Sequence, residues 1–376
     1  MVIHDLRPLG NTSGECVERF ACETMVIFGE GALEALAEQP GKRLLMVTDG
    51  MQTAGKHIQR IRDMIRPVAV AGFDRMTPEP TVAQTGEGAN LIKEFCPELV
   101  VALGDSHVLD CAKAMVCFSG KSCRLVVIPT EAGTGTETSD MVTLSHAGCR
   151  HTFRDKKLRP DVAILDSRLV AEARPGKVAE GGFSILAGSL QAYMGHHAGM
   201  LASLHAREAF SVCWGALPAA FAGNTTARGR LQMASAMVGI ASSRTGLGLC
   251  QAMTDSLGSM FHLSEGCLAG ILLPAVIGCN AHAAGKRIAE LSRAAGQGGS
   301  NEAVGVRNLK AGLIRLRQEM GMPATLAQAG VNPRWVWSNA KRVVEQTLED
   351  PACRNEPVTA DDFLVRRILE EVTGHY

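Results

Sequence analysis

The chain has no net charge: 38 Lys and Arg face 38 Asp and Glu across 376 residues. The lack of a basic surplus argues against nucleic acid or anionic membrane as the main partner, because both are held by fields of excess positive charge. The one short basic run, Arg154-Asp-Lys-Lys-Leu-Arg159, reads as a solvated loop. Nor is there a C-x-x-C pair. Twelve cysteines are scattered from Cys16 to Cys353, which argues against a zinc framework and against a disulfide-stapled secreted scaffold. No apolar stretch is long and uninterrupted enough to span a bilayer, and no cationic start leads into an apolar core. A cytoplasmic protein with reduced thiols is the expectation, several of them serving as compact apolar filler.

What is present is a composition 46% hydrophobic and 20% charged, over a length that suits two domains of ordinary size. The most informative stretch is Gly246 to Asn280, which carries no Lys or Arg. Gln251, Asp255, His262 and Glu265 interrupt an otherwise buryable surface. Polar groups taken out of water need partners, so these side chains line a cavity or sit on a helix surface. Gln251 and Asp255, four apart, share one helical face, and a second apolar run begins near Gly266. Two helices meeting at a polar pocket are predicted.

Upstream, Arg43 to Thr48 reads as a buried strand ending at Asp49-Gly50. Further strands are predicted at Val68 to Phe73 and at Leu99 to Leu103, with a helix over 81–95 between them. Such alternation builds a parallel α/β sheet whose ligands sit at the carboxyl ends of the strands. Asp49-Gly50, Gly104 to Lys113 and Pro129 to Thr138 should therefore surround one crevice. From Pro175-Gly176 onward, alanine and glycine with helical periods predict an all-helical part. Its later helices are expected over 281–295, 305–320, 333–348 and 360–372. The division is placed at residues 1–176 and 177–376.

These segments resemble the iron-containing (group III) alcohol dehydrogenases, with Pro160 to Asp166 and Gly246 to Cys250 most similar to the ethanolamine- and propanediol-utilisation types. Gly246-Leu247-Gly248, Ala252-Met253, Leu257-Gly258, Gly266, Leu272-Leu273-Pro274 and Asn280 match the family signature. So do the frame Gly104, Asp110, Ala112, Lys113 and the stretch Ile128 to Glu137. The resemblance implies a Rossmann-like, dehydroquinate synthase-like α/β domain followed by an all-α domain. It also implies reversible aldehyde reduction by NAD(H) or NADP(H), with cofactor positions at Asp49, Gly104, Asp105, Ser106, Asp110, Thr130 and Thr134.

The departures fall on reactive positions. Where relatives have an Asp and three His to hold the metal, the chain aligns Ser184, Gly188, Gln251 and Glu265, and Asp255 replaces a substrate-side His. Glycine offers no ligand atom, and a serine hydroxyl is a poor partner for ferrous iron or zinc. Metal-assisted hydride transfer needs a cation to polarise the alcohol oxygen, so no metal is expected at this set. A relocated site would have to draw on Asp255, His196, His197, His205 or His262.

Asp105 and Glu131 place two acids where relatives carry neutral residues beside the pyrophosphate. Like charges about 4 Å apart at an effective dielectric near 20 repel by roughly 4 kcal/mol, enough to cancel several hydrogen bonds. Two readings follow. One is a divergent oxidoreductase with Asp255 or His262 as proton donor. The other is a pseudoenzyme kept for assembly, as a homodimer or beside an active paralogue, with a microcompartment as one setting.

Overall fold

The computed structural model describes residues 9–10, 16–17, 20–77 and 79–374, with only the backbone for 9–10, 16–17 and 51–56. The weakly patterned lead-in of residues 1 to 20 falls mostly outside the described residues, as does Pro78 of the turn before the predicted helix. Leu9–Gly10 (β1) and Cys16–Val17 (β2) form a small antiparallel ribbon.

Six strands form one parallel sheet: Met25–Phe28 (β3), Arg43–Thr48 (β4), Ala69–Phe73 (β5), Leu99–Gly104 (β6), Arg124–Pro129 (β7) and Val162–Leu165 (β10). Their order is β3-β10-β7-β6-β4-β5. The central strands read as near-continuous aliphatic runs because helices cover both faces, and β6 is buried at every position. Alternate side chains go to opposite sides. Leu45, Val100, Val127 and Ala163 pack in one core, while Leu44, Val101, Val126 and Ile164 pack in the other.

After β5 the chain returns to the other side of β4, so the winding reverses between β4 and β6. The crevice that such a reversal opens lies at the carboxyl ends of these two strands. Between the strands run Met51–Ile65 (α1), Val82–Phe95 (α2) and Ser106–Ser119 (α3), preceded by a 3-10 turn over Ala32–Glu38. Thr81 starts α2 with a reciprocal cap: its hydroxyl accepts from Gln84 N at 3.1 Å, and Gln84 Oε1 accepts from Thr81 N at 3.2 Å. An antiparallel hairpin, Met141–His146 (β8) and Cys149–Arg154 (β9), stands off the sheet. The sequence reading did not anticipate it.

From Pro175 the described chain is helical: Pro175–Met194 (α4), Met200–Phe221 (α5), Thr225–Thr245 (α6), Leu249–Phe261 (α7), Glu265–Asn280 (α8), Gly285–Ala294 (α9), Glu302–Glu319 (α10), Pro333–Glu349 (α11) and Asp362–Thr373 (α12). The expected helix over 281–295 is corrected. The apolar run from Glu265 continues as one helix to Asn280, and the next begins only at Gly285, because Asn280 O accepts from Ala284 N and closes a turn between them. α4 and α8 are buried almost all round and form the centre of this part.

Two glycine contacts join the halves. Gly135, at φ +77°, lies so close to α6 that a Cβ would stand 2.3 Å from Gly239 N. A Cβ on Gly181 would stand 2.0 Å from Ala132 O. The loop after β7 is thus pressed directly onto α4 and α6.

Candidate functional site

At the crevice the first free amides of α3 are already taken. Asp105 is the N-cap, and its Oδ1 accepts from His107 N at 3.1 Å and Val108 N at 3.2 Å. A helix N-terminus attracts anions through such donors and the helix dipole. Here the chain's own carboxylate occupies that place. Gly104 is required for another reason: a Cβ there would strike the Val108 side chain at 2.4 Å.

The remaining expected cofactor positions divide. Asp49 follows β4 and is exposed, and its carboxyl is pushed up by partial burial first and by the Asp105 charge second. Ser106 and Thr134 line the cleft, and Thr130 N ties the loop to Gly104 O at 2.9 Å. Asp110 does not face the cleft. It is buried, accepts from Thr136 Oγ1 and from Thr143 N at 2.9 Å, and stands 3.8 Å from Lys113 Nζ. Lys113 is wholly buried and donates to Thr136 O, Thr136 Oγ1 and Met141 O. Burial lowers its pKa to about 8, against the pull of Asp110. This pair pins the hairpin to α3 and is a structural strut.

Opposite the β6–α3 corner, the cleft is walled by Glu131, Glu137, Lys177, Glu180 and Glu265. Its free volume is about 80 Å³. Glu131 is held above the usual carboxylate range by burial, with Asp105 and Glu180 adding repulsion and Lys177 opposing it. Lys177 Nζ lies 3.6 Å from Glu180 Oε2. Lys177, Glu180 and Glu137 were not singled out from the sequence. Glu137 ends the quoted motif, but nothing in the chain's spacing shows that α4 delivers the other two.

The four family metal positions do not make a metal site. Gly188 faces apolar packing, since a Cβ there would lie 2.7 Å from Val238 Cγ1. Ser184 is buried on α4. Gln251 uses its amide N–H toward Asp255 Oδ1, 3.2 Å away, and its side chain also hydrogen-bonds Glu265. Its carbonyl oxygen is a neutral amide donor, weaker toward ferrous iron or zinc than the imidazole relatives carry there. Among the described residues no group of three His, Cys, Asp or Glu could hold a metal ion. Glu265 alone has a suitable donor, and burial lifts its pKa to about 7.

The other candidates do not converge either. His262 caps the end of α7 in a left-handed conformation, with its side chain exposed and 4.0 Å from Glu79 Oε1. The His196 and His197 amides meet Asn355, and His205 stacks on Phe20.

Asp255 is 4% exposed at the wall of a second, roomier cavity of about 660 Å³ between the hairpin and α7. Its carboxyl is pushed well above the usual range by burial, then by Asp350 and Glu265. Arg150 of the hairpin opposes that shift; it is ion-paired with Glu79 at 2.6 Å. Room for its guanidinium exists because residue 258 is glycine.

Two further residues set the position of α7. Gln191 Oε1 accepts from Gly248 N at 2.9 Å and Gln251 N at 3.0 Å, while Glu356 Oε2 accepts from Leu249 N at 2.7 Å. Asn280 Nδ2 donates to the other Glu356 oxygen.

Comparison with known proteins covers nearly the whole chain. Residues 23–167 match the profile of iron-containing alcohol dehydrogenase, and residues 178–373 match that of the Fe-containing alcohol dehydrogenase family, C-terminal. The 1-propanol dehydrogenase PduQ of Salmonella typhimurium is 30% identical over 367 residues, spanning 94% of this chain and 99% of its own. Among solved structures, the iron-containing alcohol dehydrogenase from Thermococcus thioreducens superposes with a TM-score of 0.86 at 26% identity, covering 94% of this chain and 98% of that one. Sulfoacetaldehyde reductase from Bifidobacterium kashiwanohense, solved in complex with NAD+, shares the fold at 21% identity with a TM-score of 0.83, over 95% and 98% of the two chains.

Proposed function

The chain belongs to the iron-containing alcohol dehydrogenase family, and from that premise we propose that it has given up the family's metal-assisted, nicotinamide-dependent interconversion of small aldehydes and alcohols. The observation that carries this reading is the Asp105 cap: the carboxylate that stabilises α3 sits on the amides a pyrophosphate would need. The metal set supports it independently, since Gly188 carries no donor atom and is packed against Val238, and Gln251 offers only a neutral amide in place of an imidazole. In this reading the protein is a catalytically silent relative whose preserved helices serve assembly. It forms a homodimer or pairs with an active paralogue in the cytoplasm or in a microcompartment. The large apolar side chains left exposed on the edge strand β3, Met25 and Phe28, support an association of that kind.

A second reading keeps a weak, metal-free aldehyde reduction, and Asp255 is what favours it. A buried carboxyl whose pKa is pushed well up holds a proton that it could give to a carbonyl oxygen. Titrating metal-analysed protein with NADH and NADPH by cofactor fluorescence separates the two. The first reading expects no saturable binding below millimolar and no stoichiometric iron or zinc. Micromolar binding with aldehyde-dependent NADH oxidation in the presence of a chelator selects the second, and the same activity requiring a bound metal overturns both.

A further inference from the structure

The β8–β9 hairpin has one edge that is satisfied and one that is open. Its two-residue turn, Ala147 at φ +51° and Gly148 at φ +74°, makes His146 and Cys149 the closing hydrogen-bonded pair. Alternation along the ladder then points the backbone groups of Thr143 and Ser145 outward on β8, and those of their partners Thr152 and Arg150 outward on β9. On the β8 side the amides are taken: Thr143 N donates to Asp110 Oδ2 at 2.9 Å, and Ser145 N to Pro80 O at 2.8 Å. β9 pairs with β8 alone. Among the described residues, no group meets the outward amides and carbonyls of Arg150 and Thr152.

That edge opens on the cavity of about 660 Å³. Side chains of a strand alternate between its faces, yet the consecutive residues 149–153 all line this space, so the cavity wraps the edge of β9 rather than lying over one face. Asp255 of α7 and Glu349 at the end of α11 stand on its other walls. An open strand edge is a template for a further strand. Charge narrows the choice of partner. Arg150 is already ion-paired with Glu79 at 2.6 Å, whereas the exposed Glu349 has no ion pair among the described residues. We propose that β9 binds an extended peptide with a basic side chain, whose main chain adds as a third strand along residues 150–152 and whose cation meets Glu349. In such complexes the ladder supplies affinity and the side-chain contact supplies preference.

This goes beyond the loss of dinucleotide binding, since the Asp105 cap takes no part in it. The test is calorimetric titration of the full chain with the capped peptide acetyl-Thr-Val-Lys-Val-Thr-amide, with its Glu-for-Lys counterpart, and with a fully N-methylated form that cannot donate to a ladder. One saturable site is expected for the Lys peptide, with at least tenfold weaker binding of the N-methylated form. Thr152→Pro removes only an outward N–H, which an edge position tolerates, and should weaken binding at least tenfold. Thr152→Val keeps that amide and should bind like the parent. Glu349→Lys, on an exposed position, should reverse the preference between the Lys and Glu peptides, and it keeps the test valid if Thr152→Pro fails to fold. Absence of saturable binding, equal binding of the N-methylated peptide, or an unchanged preference in Glu349→Lys overturns the proposal. So does a parent dimer that Thr152→Pro dissociates in sedimentation, because a second copy would then hold the edge. Titration with NADH alone reads the preceding proposal, and the two results vary independently.

Discussion

Gln251 donates its side-chain N–H to Asp255 across one turn of α7, Nε2 to Oδ1, at 3.2 Å. These are two of the positions where relatives carry histidines. In this chain they satisfy each other, with Thr152 Oγ1 also near Asp255 at 3.4 Å.

Replacing Asp105 should separate its capping from its charge. Asp105→Asn keeps a side-chain acceptor at the N-cap and should change stability by less than about 0.5 kcal/mol, whereas Asp105→Ala should lose about 1 kcal/mol. Both remove the repulsion on Asp49 and Glu131, so NMR titration of these carboxyls should show lower pKa values in either variant. If the Asp49 and Glu131 titrations do not move, Asp105 is not the neighbour that lifts them.

The double change Asp105→Gly with Glu131→Thr moves both loops toward the family's residues. It should raise NADH affinity at least tenfold over the parent chain, read by cofactor fluorescence. No gain would mean that the obstacle to the dinucleotide lies elsewhere in the crevice.

The pH dependence follows from Glu137. Its folded-state pKa is about 7, above the ordinary 4.5, so between these values the native state binds more protons than the unfolded chain. Stability attributable to this group therefore falls as pH rises from about 4.5 to 7, by at most about 1.4 kcal/mol per unit, and levels off above. Lys113 acts in the opposite sense at higher pH: its pKa is lowered from 10.5 to about 8, so its penalty is relieved between 8 and 10.5. Urea unfolding of Glu137→Gln should show a flatter profile than the parent between pH 5 and 7. An identical slope would remove Glu137 from the account.

Gly188→His, the substitution that would restore a ligand, should destabilise by about 1–3 kcal/mol, because the new side chain meets Val238 in a packed interior. A relieving Val238→Ala partner should recover part of the loss. Thermal unfolding of the single and double variants measures both.

Glu356→Ala should lower stability by about 2–3 kcal/mol, since it strands the amide of Leu249 and one of the two Asn280 Nδ2 hydrogen bonds in a buried setting, the other being kept by Val276 O. Denaturant titration reads the loss. A change within 0.5 kcal/mol would mean that water replaces the carboxylate there.

The sheet was legible because buried parallel strands are written as local aliphatic runs, and Arg43 to Thr48 needed nothing more. The helix over 281–295 was misplaced because the apolar signal of α8 runs past Pro274 without interruption and only a closed turn after Asn280 marks its end. Asp110 was assigned to the cofactor from a motif frame, but its partner Thr143 arrives 33 residues later on a hairpin with no strong pattern. Arg150, Glu180, Asp350 and Glu356 were invisible for the same reason. Each reaches its site from a distant segment, and one-dimensional spacing does not record which way those segments turn. The substitutions at Ser184, Gly188 and Gln251 were legible as chemistry; that Val238 has filled the space beside Gly188 was not.

The cap on α3 has a thermodynamic corollary. A free inhibitor can be diluted away, but Asp105 is tethered beside the amides it occupies and competes at a fixed local concentration. Any phosphate ligand would bind only the fraction of molecules in which that carboxylate has swung out, so its apparent affinity is multiplied by that fraction and its apparent Kd divided by it. A corner built to welcome a negative group has become a plug that the chain carries with it.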